Sequence, residues 1–251
     1  MLVQELDLAG GPVRIRPAGD AAVLVELGDG VDPAVHRRVM ALWRTLVERP
    51  LPGMIEAVPA YRSVLVTWDP RVTDGARIRA ALERRLREAV DGRGPRRRGR
   101  QVTIPVIYGG SYGPDLEAVA ERVGLSPDEV VRRHAAGRYV VYMLGFLPGF
   151  VYLGGLDPAL AVPRRASPRL EVPAGSVAIG GSQTGIYGLG GAPGGWHVIG
   201  RTWVTLWDAG RRRPATLRPG DRVRFVAASP EQAPPGWQEA AGEPRATMPA
   251  A

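Results

Sequence analysis

The chain of 251 residues has no cysteine, no lysine and no asparagine, and only three histidines. Without cysteine, disulfides and thiolate chemistry are excluded, and cysteine usage says nothing of the redox compartment. Without lysine, no phosphate loop of the form G-x-x-x-x-G-K-[ST] can be completed. Gly175 to Ser182, GSVAIGGS, has that outline, but Gly181 stands where the lysine belongs. The residues between the glycines, Val177, Ala178 and Ile179, read as a strand rather than an irregular loop. The histidines are His36, His134 and His197, with no H-E-x-x-H or carboxylate-rich spacing beside them, so no metal site is expected. His36 is placed on the solvent face of the first helix.

The formal charge is +8, and all 33 basic residues are arginine. Arginine without lysine, together with the missing asparagine, fits GC-rich codon usage and does not by itself ask for a polyanionic partner. The one dense cluster, GRGPRRRGR from Gly92 to Arg100, has no interleaved aromatic residue for base stacking. It reads as a solvated linker between domains, and no nucleic-acid partner is expected.

Long apolar runs are also scarce. Tyr139 to Leu156 carries no charge over 18 residues, yet Gly145, Pro148, Gly149, Gly154 and Gly155 would break a helix in its second half. A buried strand over Tyr139 to Leu144 and a tight apolar turn are expected instead, with no membrane partner. The N-terminal MLVQELDLAGG lacks the basic and apolar regions of a signal peptide, which makes a cytoplasmic location the expectation.

The patterned stretches divide the chain. Residues 1–91 predict an α+β domain, with strands at Val23 to Leu27, Met54 to Val58 and Ser63 to Trp68. One helix opens at Asp32 and Pro33, and a second carries Ile78, Leu82 and Leu86. Residues 92–100 form the Arg/Gly linker. Residues 101–228 open with a strand at Val102 to Ile107 and two short helices, the second preceded by the capping-box sequence SPDE from Ser126. From Tyr139 on, the helical period vanishes. Short apolar runs bounded by Gly and Pro, at Tyr139 to Leu144, Ser176 to Ile179, Trp196 to Gly200, Val204 to Trp207 and Arg222 to Val226, predict a closed or nearly closed antiparallel barrel. Residues 229–251, rich in Pro, Gly, Ala and Glu, predict a poorly ordered tail.

The densest glycine stretch, IGGSQTGIYGLGGAPGGWHVIGRT, runs from Ile179 to Thr202. Its aliphatic and aromatic anchors argue against a flexible linker. A nucleophile elbow, G-x-S-x-G, fails because the second glycine arrives one residue late, at Gly185. Tight barrel turns remain, bringing Gln183, Thr184 and Arg201 toward one mouth. Arg201, Arg164, Arg165 and Arg169 lie among apolar and glycine residues, where a guanidinium can offer a fork to a carboxylate or phosphate. Gln183 and Thr184 offer an amide and a hydroxyl. Phe146, Phe150, Tyr152 and Trp196 are either barrel core or the lining of a site. His134, near the end of a capped helix, either interacts with the helix dipole or belongs to the site. No catalytic residue is singled out.

The blocks GDAAVLVELG, EAVPAYRSVLVTWDP, VYMLGFLPGFVYLGGLD, PRRASPRLEVPAGSVAIGGSQTGIY and PGGWHVIGRT together resemble the family of 5-oxoprolinase B subunits, also called the KipI or allophanate hydrolase subunit 1 family. The resemblance runs from about Gly19 to about Val226. It implies a C-terminal barrel of cyclophilin-like topology and a role as one subunit of an ATP-dependent cyclic amide hydrolase that opens 5-oxoproline to glutamate, inactive alone. It also implies partner subunits A (LamB/YcsF-like) and C (KipA-like), with ATP bound with or by a partner. On this footing Arg201 and Arg164 pair with an anionic substrate, Gln183 and Thr184 orient the lactam, and Phe146, Phe150 and Tyr152 line the pocket, with His134 beside it. Two alternatives accompany the resemblance: inhibition of a sensor histidine kinase, and a part in a urea-degrading enzyme. The chain departs from the family pattern where Gly188 and Trp203 replace prolines and where GLGGA separates Tyr187 from Pro193.

Overall fold

Asp32 begins the first helix. Its carboxylate accepts from the backbone N–H groups of Ala34 (2.6 Å) and Val35 (3.2 Å), and Pro33, which has no N–H to satisfy, takes the first helical position. Asp74 does the same for Ala76 and Arg77 at the start of the second. The computed structural model describes residues 3–8, 11–90 and 99–237. It divides into two compact units, residues 1–98 and 99–251.

In the first unit the elements are β1 (Gln4–Leu8), β2 (Gly11–Pro17), β3 (Ala22–Glu26), α1 (Pro33–Glu48), β4 (Met54–Pro59), β5 (Ser63–Trp68) and α2 (Gly75–Val90). The strands form an antiparallel sheet in the order β1-β2-β3-β5-β4. Leu42 and Leu46 of α1 and Ile78, Leu82 and Leu86 of α2 bury against Val13, Ile15, Val23, Val25, Val64 and Val66, so alternate strand residues meet the i, i+4 stripes of the helices. The leading hairpin β1-β2 goes beyond the three strands expected here. His36, expected in solvent, is 3% exposed, because α1 turns that position into the packing layer.

The second unit contains β6 (Gln101–Tyr108), α3 (Leu116–Val123), α4 (Pro127–Ala136), β7 (Tyr139–Leu144), β8 (Val151–Gly154), β9 (Arg169–Val172), β10 (Ser176–Gly180), β11 (Gln183–Ile186), β12 (Ala192–Gly194), β13 (His197–Arg201) and β14 (Arg222–Ala227). Seven strands close a barrel in the order β10-β11-β8-β7-β14-β6-β13, while β9 and β12 pair apart from it. Ser126 caps α4 through the Glu129 N–H (3.2 Å), but the Glu129 carboxylate takes Arg132 and Arg133, so the charged partners claim the acid that a full capping box would turn back.

The barrel is not wholly antiparallel: β14 runs parallel to β6, with Arg222 opposite Gln101 and Val226 opposite Pro105. Such a pairing needs a long crossover, and the intervening helices and strands provide it. Val204 to Trp207 forms no strand; Trp207 makes a single bridge to Ala215. The expected linker falls outside the described residues except for its end, where Arg100 pairs with buried Asp221. The expected tail is described to Trp237 and begins with a 3₁₀ turn at Pro230–Gln232; residues 238–251 lie outside the described residues.

Candidate functional site

Strand alternation sorts the glycine-rich strands into two faces. Val177, Ile179, Ile186, Leu153 and Ile199 point into the barrel with Tyr139, Val223 and Phe225. Ala178, Val198, Phe150, Tyr187 and Trp196 form a second cluster on the other face, with Tyr152 and Leu147 against it. Gly180 and Gly185 make this second layer possible. A Cβ at Gly180 would come within 2.6 Å of the Trp196 indole, and one at Gly185 would meet Trp196 at 3.0 Å and Phe150 at 3.2 Å. The missing side chains are the seat of the tryptophan.

On that seat the aromatic rings meet edge to face. Phe150 stands at 86° to Tyr187 (4.8 Å), at 90° to Trp196 (5.7 Å) and at 87° to Phe146 (5.7 Å), while Tyr152 leans on Phe150 at 4.6 Å. Phe146 is 60% exposed and has φ of 67°. The Leu147 N–H donates to the Gly145 carbonyl across it (2.8 Å), the hydrogen-bond pattern of a γ-turn with its φ on the strained side. A side chain other than glycine held there marks a segment that the surrounding turn over-determines.

Arg164 brings positive charge to this wall. Its guanidinium carbon lies 5.9 Å from the Trp196 ring centroid, in cation–π range. Burial raises the phenol pKa values of Tyr152 and Tyr187, and the charge of Arg164 pulls both the other way. The segment carrying Arg164 is clamped from both sides. The His197 Nε2–H donates to the Pro163 carbonyl (2.9 Å), and Arg165 and Arg169 both bind Asp115. Arg169 holds that carboxylate by two bonds, of 2.6 and 2.8 Å, Arg165 by one of 2.9 Å, and the Val198 N–H adds a fourth at 2.7 Å. Burial pushes the Asp115 pKa up, but the Arg169 and Val198 hydrogen bonds and the charges of Arg169 and Arg165 hold it below the usual carboxylate value.

The structure therefore brings Arg164, Phe146, Phe150 and Tyr152 together. Gln183 sits opposite Gly180 where β10 turns into β11, half-buried, on the strand position that alternates to the Trp196 side. Arg201 is not part of this group. It pairs with Ser176, four residues from Gly180 along β10, which at strand rise is about 13 Å. The single mouth expected for Gln183, Thr184 and Arg201 does not form, because strand pairing sends them to different ends of β10 and Thr184 to the opposite face.

Thr184 and His134 belong to the interior. Both are fully buried; the Thr184 hydroxyl donates to the Ala178 carbonyl (3.0 Å), and His134 Nε2 lies 2.9 Å from the same hydroxyl oxygen. Burial lowers the His134 pKa to about 3, so the ring is neutral and makes no charge–dipole interaction with the end of α4. Among the described residues no group of three His, Cys, Asp or Glu could hold a metal, and no helix is long and apolar enough to cross a membrane. A separate concavity of about 760 Å³ is lined by Gln101, Arg138, Arg222 and Arg224 among others and includes none of the expected site residues.

A model of the carboxyltransferase domain family, subdomains C and D, matches residues 13–217. The chain belongs to that family. Two curated relatives, each named as the B subunit of 5-oxoprolinase, share its sequence: the Bacillus subtilis protein at 42% identity over 86% of this chain and 93% of its own, and the Escherichia coli O157:H7 protein at 46% over 83% and 93%. The solved structure of TTHA0988 is similar at a TM-score of 0.73 and 42% identity over 85% of this chain. The chain spans 41% of that longer protein.

Within this carboxyltransferase C and D barrel, Asp115 is the residue that sequence reasoning missed. Its place just before α3 reads as an ordinary helix start, yet it makes no capping bond and instead anchors arginines 50 and 54 positions away. No local pattern announces such a pairing. At Gly188, one of the departures from the family pattern, a Cβ would collide with the backbone of Gly149, so glycine lets the two turns touch.

Proposed function

We propose that the chain is the B subunit of a 5-oxoprolinase, working with subunits A and C to open 5-oxoproline to glutamate at the expense of ATP. One observation carries this reading: two relatives named as B subunits of 5-oxoprolinase match over 93% of their own lengths. The arginine and aromatic wall supports it. 5-Oxoproline is a small flat lactam with one carboxylate. Arg164, held over Trp196 by a clamped segment, offers that carboxylate a guanidinium fork. Phe150, Tyr152 and Trp196 give the ring an apolar face and exclude water from it, and the Gln183 amide lies at the same edge to meet the lactam.

ATP supplies the phosphoryl group that activates the unreactive lactam carbonyl. The middle of the stretch with a phosphate-loop outline, Ser176–Gly180, is a fully buried strand, so nucleotide contacts are assigned to a partner subunit. The chain is accordingly inactive alone. Reconstitution with subunits A and C should give 5-oxoproline-dependent ATP hydrolysis, and Arg164→Ala should lower kcat/KM at least tenfold, mainly through KM. A complete complex without turnover would remove the functional reading. Full turnover by the Arg164→Ala complex would remove the site.

A further inference from the structure

β14 turns its side chains alternately to the two sides of the barrel wall. Val223 and Phe225 enter the core, while Arg222 and Arg224 stand exposed on the outside, about 7 Å apart along the strand. Because β14 runs between β6 and β7, Arg222 is flanked by Gln101 on one side and Val140 on the other. Arg138, exposed at the corner between α4 and β7, adds a third guanidinium. All five residues line the concavity of about 760 Å³ beside the end of α4, a volume suited to a small ligand.

Its backbone frame is fixed on every side. A Cβ at Gly137 would come within 2.5 Å of the Tyr139 ring, and the Tyr139 hydroxyl donates to the His134 carbonyl (2.8 Å), tying the last turn of α4 to β7. Gly155 closes on the backbone of Arg138, where a Cβ would lie 2.6 Å from the carbonyl oxygen. The Arg222 N–H donates to the Arg100 carbonyl (2.8 Å) and the Val141 N–H to the Asp221 carbonyl (2.9 Å), so β14 is held at the level of Arg222 from both neighbours.

Positive charge here has no counterpart. Among the described residues, none of the three guanidinium groups makes an ion pair or a side-chain hydrogen bond, and no acidic residue lines the concavity. Asp221, next to Arg222, is taken by Arg100, and Asp157, whose charge reaches Tyr139, is taken by Arg133. The C-terminus of α4 brings about half a negative elementary charge, too little to balance three guanidinium groups.

We propose that Arg138, Arg222 and Arg224 form a binding site for a small anion carrying at least two phosphate groups. Each guanidinium presents paired N–H donors that match two oxygens of a phosphate. Forks that start about 7 Å apart on one strand are spaced for neighbouring phosphates rather than for a single one. Gln101 adds an amide donor at the edge. The site shares no residue with the Arg164 wall and does not depend on the 5-oxoprolinase reading.

Pyrophosphate is the probe. Calorimetric titration into the full chain at about 150 mM salt, where long-range attraction to the net charge is screened, should show saturable binding at one site. Arg222→Gln and Arg224→Gln should each weaken it at least tenfold without lowering the thermal midpoint, since both side chains are exposed. Arg212→Gln, which removes the same charge from another exposed position, should leave affinity within about twofold. Absence of saturable binding by the parent, binding that survives both β14 variants, or an equal loss in all three variants would overturn the proposal.

Discussion

His134 Nε2 and Thr184 Oγ1 are 2.9 Å apart inside a barrel where neither residue reaches solvent. The hydrogen bonds have one consistent direction. Thr184 donates to the Ala178 carbonyl, so its oxygen accepts from the Nε2–H of His134, and Nδ1 accepts from the Tyr108 hydroxyl at 2.8 Å. The ring also stacks on Phe225 at 4.7 Å, and its backbone carbonyl accepts from the Tyr139 hydroxyl. Each polar atom in the chain of bonds has a partner, as an apolar interior requires.

Replacing His134 by alanine strands the Tyr108 hydroxyl and the histidine's bond to Thr184, and opens a cavity beside Phe225. The expected loss is about 3–5 kcal/mol, read as a drop in the urea midpoint with an unchanged slope. A loss under about 1 kcal/mol would mean that the network contributes nothing net.

The same histidine sets an acid limit. Its folded pKa of about 3 lies below the ordinary 6.5. Between those values the unfolded chain binds a proton that the native one refuses, so stability falls as pH falls from 6.5 toward 3, with a slope of up to about 1.4 kcal/mol per unit. Unfolding curves at pH 4, 5 and 6 should show this slope in the parent. His134→Gln should flatten it; an equal slope in both would assign the acid lability elsewhere.

Asp115→Ala removes the shared partner of Arg165, Arg169 and the Val198 N–H. The two arginines are partly solvated, which moderates the penalty of a broken buried pair to about 2–3 kcal/mol. The segment from Val162 to Arg169 should then be cut by trypsin under native conditions faster than in the parent. Parental cleavage rates would show that the His197 bond to Pro163 and the backbone bonds of Val162 to Gly181 and Arg165 to Gly195 suffice as a clamp.

At position 146 the usual ranking of alanine over glycine should reverse. Alanine keeps the strained φ of 67° and glycine does not, so Phe146→Gly is expected to be about 1 kcal/mol more stable than Phe146→Ala. Thermal unfolding of the two variants decides it.

Gly180→Ala places a methyl within 2.6 Å of the buried Trp196 ring and is expected to cost about 1–3 kcal/mol, with a red shift in tryptophan emission as the indole is displaced. Unchanged stability and emission would mean that the ring has room to move.

Residues whose partners lie close in sequence are legible from the sequence alone. Asp32 and Pro33 announce α1, Ser126 announces α4, and the apolar spacing of Ile78, Leu82 and Leu86 marks α2. The strands β8, β9, β11 and β12 are not legible in the same way, because pieces of three or four residues are too short to carry a usable period. In the candidate site, aromatic residues between glycines point to Phe146, Phe150 and Tyr152. Which face each residue takes depends on strand alternation and pairing, which separate Thr184 from Gln183 and carry Arg201 to the Ser176 end of β10, away from Gln183.

The parallel pairing of β14 with β6 imposes an order of assembly. Arg222 lies opposite Gln101, so the first and last strands of the barrel are joined across 121 positions of chain, and the cylinder cannot close until its final strand has been synthesised. Until then β6 and β7 present unpaired edges open to other chains. Closure of so long a loop makes slow, concentration-sensitive refolding the expected behaviour of the second unit. A chain ending at Leu217, where the family match stops, should aggregate rather than yield a smaller barrel.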